Sequence, residues 1–131
     1  MTIRIMIADD HKMFREGLRA LISGEPDMEV VGEAADGREA VALAREIAPD
    51  VVIMDMKMPV MNGIDATRNL VKEQPETRVL ILSMYSSDQL SDSIVEAGAS
   101  GYILKGCDFV ELAAAIRCAC EGSHPSPANP C

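Results

Sequence analysis

Val51-Val52-Ile53-Met54-Asp55 is four apolar residues ended by a carboxylate, and its reading decides the architecture. No polar residue alternates through the run, so it does not suit a strand with one wet face. It reads instead as a strand buried on both sides. Ile3-Arg4-Ile5-Met6-Ile7-Ala8 ends in the same way, at Asp9-Asp10. If the two runs are neighbours in a parallel sheet, their carboxyl ends bring three carboxylates to one edge. Crowded carboxylates repel, so protons or a cation must gather among them. A hard divalent ion with oxygen ligands meets that need most directly.

Outward from these runs, apolar stretches alternate with helical patterns. Met13, Phe14, Leu18, Leu21 and Ile22 recur at helical spacing after the first strand. Residues 29–35 read as a weaker strand and residues 37–47 as a helix carrying Ala40, Val41, Leu43 and Ala44. Asn62-Gly63 is a turn signal, and the helix behind it carries Ile64, Leu70 and Val71 before Pro75 closes it. Val79-Leu80-Ile81-Leu82 is a fourth buried strand and Gly101-Tyr102-Ile103-Leu104 a short fifth. Phe109, Val110, Leu112, Ala113 and Ile116 mark the final helix. Residues 88–98 carry only Leu90, Ile94 and Val95 as apolar anchors, which predicts the least firmly held helix. Strict alternation with doubly buried strands predicts an α/β fold, a (βα)5 doubly wound parallel sheet. Right-handed crossovers favour the strand order 2-1-3-4-5, which puts Asp9, Asp10 and Asp55 at the switch point where open sheets bind ligands.

Composition narrows the function. The 131 residues, 48% hydrophobic, suit one domain with a single aliphatic core. A formal net charge of -9 argues against gripping nucleic acid or an anionic membrane through bulk electrostatics. No stretch is long and apolar enough to span a bilayer. Met1-Thr2-Ile3-Arg4 runs directly into a strand pattern without a secretory leader, so a cytoplasmic location is expected. Cys107, Cys118, Cys120 and Cys131 show neither zinc-like nor redox-pair spacing and read as small core or surface residues.

Two further strand ends are polar: Ser83 closes the fourth run and Lys105 the fifth. A lysine beside three carboxylates is a compact positive partner suited to a phosphoryl oxygen. A carboxylate can itself attack phosphorus and form an aspartyl phosphate. Each residue also has a plainer reading. Asp9-Asp10 could cap the following helix, Asp55 could be a turn residue, Lys105 a solvated lysine, and His11 a partly exposed residue of the first helix.

Taken together, Asp9-Asp10, Asp55 followed by Met58-Pro59 and Gly63, then Ser83, Tyr102 and Lys105 resemble the receiver domain of bacterial two-component response regulators, a flavodoxin-like (CheY-like) fold. The resemblance covers residues 3–121. Ser100 through Lys105, Glu111-Leu112, Ala115-Ile116-Arg117 and Glu121-Gly122 further resemble receivers of the NarL/FixJ group, which precede a LuxR-type helix-turn-helix.

The resemblance implies a role for each residue. Asp55 is the expected phosphoacceptor, receiving its phosphoryl group from a histidine kinase. Asp10 and Asp55 are expected to bind Mg2+, Asp9 to help through water, and the backbone carbonyl of Lys57 to be a further ligand. Lys105 is expected to pair with the phosphoryl group, Ser83 to be the switch hydroxyl and Tyr102 the aromatic whose burial changes with it. Lys57 and Tyr85 are expected to control water access. Residues 1–122 would form the receiver. Residues 123–131 would be a flexible tail or the start of a linker to a helix-turn-helix output domain that lies outside these residues. DNA would then be reached only through that output domain, with homodimerisation on phosphorylation and no membrane contact.

Two departures from the family pattern carry expectations. Gly106 replaces the proline that often follows the lysine, and a cis bond before a non-proline costs about 2.5–4 kcal/mol, so a trans bond is expected. Ser83 replaces the commoner threonine but keeps the hydroxyl. Among other classes, a haloacid-dehalogenase-type phosphatase needs a second aspartate two residues after the nucleophile, where this chain has Lys57. Enzymatic turnover is therefore not expected, beyond self-phosphorylation from phosphodonors and slow self-dephosphorylation. A non-phosphorylated receiver-like interaction module is the remaining alternative.

Overall fold

The computed structural model describes residues 2–84 and 88–120. The elements alternate without exception: β1 (Ile3–Ala8), α1 (Lys12–Ser23), β2 (Met28–Ala34), α2 (Gly37–Ile47), β3 (Val51–Asp55), α3 (Gly63–Glu73), β4 (Arg78–Ser83), α4 (Asp88–Ala97), β5 (Gly101–Leu104) and α5 (Phe109–Cys120). The five strands are parallel in the order β2-β1-β3-β4-β5.

Strand parity divides the core into two layers. Ile5 and Ile7 of β1, Val51 and Ile53 of β3, Leu80 and Leu82 of β4 and Ile103 of β5 pack with Leu18 and Ile22 of α1 and Leu112 and Ile116 of α5. The alternate residues Met6, Val52, Met54, Val79, Ile81 and Tyr102 pack with Ala40 and Ala44 of α2, Leu70 of α3 and Ile94 of α4. Both faces of β3 are therefore covered, which is why its sequence shows no alternation. Burying each such Ile, Leu or Met contributes about 1.5–3 kcal/mol. β2 lies at the sheet edge, and its partial exposure explains its weaker pattern.

β2 begins at Met28 and ends at Ala34, one residue earlier than its apolar pattern predicts. Met28 is already buried, while the Ala35 amide donates to the Glu39 carboxylate at the start of α2. Asp36, the cap residue of α2, accepts from the Glu39 amide in return. Asn62-Gly63 also differs from its reading as a turn. Asn62 caps α3 by accepting from the Asp65 amide, and Gly63 is already helical. In α4, Ile94 and Ala97 are buried while Val95 is exposed. The bond between Lys105 and Gly106 is trans, as expected.

The loop from β3 to α3 holds a strained residue. The Met61 amide donates to the Pro59 carbonyl, with Val60 between them at φ 69°. This is a γ-turn of the rare hand, and a β-branched side chain is a genuine outlier there. Left-handed backbone costs a residue with a Cβ about 1–2 kcal/mol. Val60 is largely exposed, so little burial offsets that cost. Val60→Gly is expected to stabilise the fold by about 1 kcal/mol, after allowing for the entropy of glycine in the unfolded chain. Urea unfolding checks this, and a loss of stability would show that the turn is not strained.

The boundary expected at residues 122 and 123, the tail and Tyr85 lie outside the described residues. Among the described residues, no helix is long and apolar enough to cross a membrane.

Candidate functional site

The site follows from strand register. Ala8 pairs with Met54, so Asp9 and Asp55 leave β1 and β3 side by side. Asp55 has the parity of Val51 and Ile53, Asp9 that of Ile5 and Ile7, and Lys105 that of Ile103, so all three turn toward the layer of α1 and α5. The Lys105 ammonium stands 2.8 Å from Asp9 Oδ2 and 3.5 Å from Asp55 Oδ2. It also lies 4.6 Å from the centre of the Phe14 ring on α1, a cation–π contact that the sequence did not signal. Carboxylate oxygens of Asp9, Asp10 and Asp55 and a ring nitrogen of His11 all lie within 4.8 Å of one another.

The four groups differ in burial. Asp9 is fully buried and Asp55 nearly so, whereas Asp10 is exposed. Asp9 Oδ1 accepts from the His11 amide at 2.8 Å, and the His11 ring Nδ1 stands 3.1 Å away. This short-range bond steers the chain from β1 into α1. The cap position of α1 is His11, whose side chain makes no capping bond, so neither aspartate is merely a helix cap. Asp9 Oδ2 makes no well-aligned hydrogen bond among the described residues and has only the nearby lysine charge as compensation. His11, read from sequence as a partly exposed helix residue, is exposed but joins the cluster.

Burial raises the Asp55 carboxyl above its ordinary 3.8, the Asp9 charge raises it further, and Lys105 partly offsets both. For Lys105, burial works against the ammonium, but the close approach of Asp9 at 2.8 Å and the charges of Asp55 and Asp9 outweigh it and raise its pKa. The sign for stability follows from linkage. An Asp55 that holds its proton more tightly when folded contributes instability that is absent below 3.8 and complete above its folded pKa. Asp55→Asn is therefore expected to be more stable than the parent at neutral pH without divalent cation. The gain should vanish as pH falls below 3.8, which unfolding curves across pH will check.

Ser83 and Tyr102 belong to the opposite layer. Ser83 has the parity of Val79 and Ile81 and is buried at the end of β4, opposite Leu104 of β5. Tyr102 is buried among Ile81, Ile94 and their neighbours. Backbone hydrogen bonds tie the end of β4 to the site: the Ser83 carbonyl accepts from the Lys105 amide at 2.7 Å, and the Leu82 carbonyl from the Met56 amide at 3.1 Å. Lys57 is exposed on the loop that follows Asp55. The loop is fixed by the Gly63 amide, which donates to the Met56 carbonyl at 2.9 Å, and by the Gly37 amide, which donates to the Met61 carbonyl at 3.1 Å.

The donor set suits a hard divalent cation: carboxylates crowded at one edge, one with a buried oxygen lacking a proper hydrogen bond.

The chain belongs to the response regulator receiver domains of two-component systems, a family that matches its residues 5–117. Among curated relatives, the transcriptional regulatory protein LiaR of Bacillus subtilis (strain 168) is 43% identical over 120 residues, covering 92% of this chain and 57% of LiaR. The transcriptional regulatory protein DegU of Brevibacillus brevis is 40% identical over 126 residues, covering 94% of this chain and 53% of DegU. The chain thus spans about half the length of these relatives. Among solved structures, a LuxR-family two-component response regulator from Aurantimonas sp. SI85-9A1 superposes with a TM-score of 0.91 at 43% identity, covering 98% of this chain and 92% of that one. The signal receiver domain of NarL from Mycobacterium tuberculosis superposes with a TM-score of 0.88 at 32% identity, covering 92% and 98%.

Proposed function

We propose that this chain is a phosphorylation-driven switch in which Asp55 accepts a phosphoryl group from a partner histidine kinase. The observation that carries the reading is the meeting of Asp9, Asp10, Asp55 and Lys105 at the carboxyl ends of β1, β3 and β5. An Asp55 oxygen attacks phosphorus as the bond from phosphorus to the kinase imidazole breaks, and the imidazole leaves with the electron pair. Asp10, Asp55 and the Lys57 carbonyl would hold Mg2+, with Asp9 assisting through water. Bound there, the ion supplies positive charge to the phosphoryl oxygens during transfer. Lys105 is near enough to both buried carboxylates to turn its ammonium toward the new group.

The added charge must be compensated by groups that move inward. Ser83 and Lys105 are joined by backbone hydrogen bonding, so displacement of one strand end is felt by the other. Movement of the Ser83 hydroxyl would release Tyr102 from the layer it shares with Ile94 of α4, changing the surface of α4, β5 and α5. Val95, Leu104 and Val110 are exposed apolar residues on these three elements, in keeping with a docking role. The partner would be a second receiver or an output domain, and DNA would be reached only through the latter. The named relatives are transcriptional regulators, which supports a cytoplasmic role in transcription control. Dimer or partner affinity with and without a phosphoryl mimic tests the switch, and equal affinities would defeat it.

We read the chain as a phosphoacceptor rather than an enzyme. Incubation with a small phosphodonor and Mg2+ separates the classes. Stoichiometric labelling supports the acceptor, many turnovers would favour a phosphatase, and no labelling would favour a non-phosphorylated interaction module.

A further inference from the structure

Arg15 is a half-buried cation that the roles above leave unused. It sits one turn into α1, and side chains of a helix lean back toward its N-terminus, so its guanidinium reaches the end of β1. Its Nη1 donates to the Asp9 backbone carbonyl at 2.6 Å, and its Nε to Glu33 Oε1 of β2 at 3.2 Å. The Arg15 side chain is 15% exposed and that of Glu33 24%. Arg19, one turn further along α1, holds the second oxygen of Glu33. The Asp9 amide donates in turn to the Ala34 carbonyl of β2 at 3.0 Å.

Both backbone groups of Asp9 are therefore fixed, one by β2 and the other by Arg15. The carbonyl that Arg15 holds belongs to the peptide unit joining Asp9 to Asp10, and the plane of that unit sets the direction in which Asp10 leaves the chain. Asp10 is exposed, and its carboxylate stands 3.2 Å from the His11 ring. We infer that Arg15, oriented by Glu33, is a positioning residue that aims the Asp10 carboxylate for divalent-cation binding. A forked guanidinium can hold two acceptors in fixed directions, whereas an ammonium is a point charge on a flexible stem. The inference rests on the cation-binding part of the proposed function.

Charge and positioning predict opposite signs. Removing a positive charge beside an acidic pocket should by Coulomb attraction alone tighten cation binding. Loosening the ligand's support should weaken it, by about tenfold at the low end for outer partners of metal ligands.

The test is titration of the full chain with Mg2+, followed by backbone amide shifts, for the parent, Arg15→Met, Arg15→Lys and Arg19→Met. Arg15→Met and Arg15→Lys are expected to bind about tenfold more weakly. Arg19→Met, which removes a charge from the same helix without touching Asp9, should bind as the parent or slightly tighter. Phosphodonor labelling of the Arg15 variants should need more Mg2+ for half its maximal rate and recover that rate at saturation. Glu33→Gln on top of Arg15→Met should add little. If Arg15→Met does not fold, Arg15→Lys decides. An Arg15→Lys protein that binds Mg2+ as tightly as a binding-competent parent overturns the inference alone. A parent that takes up no Mg2+ overturns it together with the functional reading.

Discussion

Gly63→Ala is expected to destabilise the fold by about 3 kcal/mol and to slow phosphoryl transfer, because overpacking against backbone has no cheap relief. A Cβ at Gly63 would lie 2.1 Å from the Asp55 carbonyl oxygen and 2.9 Å from the Met56 Cα. Neither atom is the end of a flexible side chain. One belongs to the expected acceptor itself, so relief must tilt Asp55 or push α3 away from β3. Gly106→Ala is the control, since nothing lies within 4 Å of a Cβ there. It should stay within about 0.5 kcal/mol of the parent. Chemical denaturation gives both values, and equal stability of the two variants would contradict the close approach.

Lys105→Met is expected to cost about 2–3 kcal/mol at neutral pH without divalent cation, somewhat below the usual penalty for breaking a buried pair because the carboxylates can take up protons. The lysine side chain is 13% exposed and faces Asp9 at 0% and Asp55 at 7%, so its removal strands two buried acids. The loss should shrink as pH falls and the acids protonate. Mg2+ should restore more stability to this variant than to the parent, because binding to the folded state alone stabilises it. Unfolding with and without Mg2+ checks this. A variant within about 0.5 kcal/mol of the parent at neutral pH would show that the lysine does not balance the acids.

Much of the architecture was legible because burial on two faces leaves a mark. The unbroken apolar run at Val51 through Met54 could only be an interior strand, and strict alternation with helices then fixed the order of the sheet. Asp9, Asp55 and Lys105 were legible as polar endings of such runs, since a charge at the end of a buried strand is costly without a purpose.

Tertiary partners left no comparable mark. Arg15 and Glu33 look like ordinary charges on a helix face and an edge strand, and only the fold puts Arg15 within reach of the Asp9 carbonyl. Phe14 was read as one of the apolar residues of α1, and its contact with Lys105 exists only because the fold brings α1 near the end of β5. Asn62-Gly63 misled because a turn residue and a helix cap share the same chemistry. Its glycine answers to close backbone packing against β3 rather than to chain reversal.

The central claim is that one carboxylate at the end of β3 is reversibly phosphorylated. Its most direct measurement is intact-mass analysis, with mapping of the modified peptide, after incubation with acetyl phosphate and Mg2+. The account predicts a single phosphoryl group per chain on Asp55, requiring Mg2+ and absent from Asp55→Ala. Undiminished labelling of Asp55→Ala would contradict it.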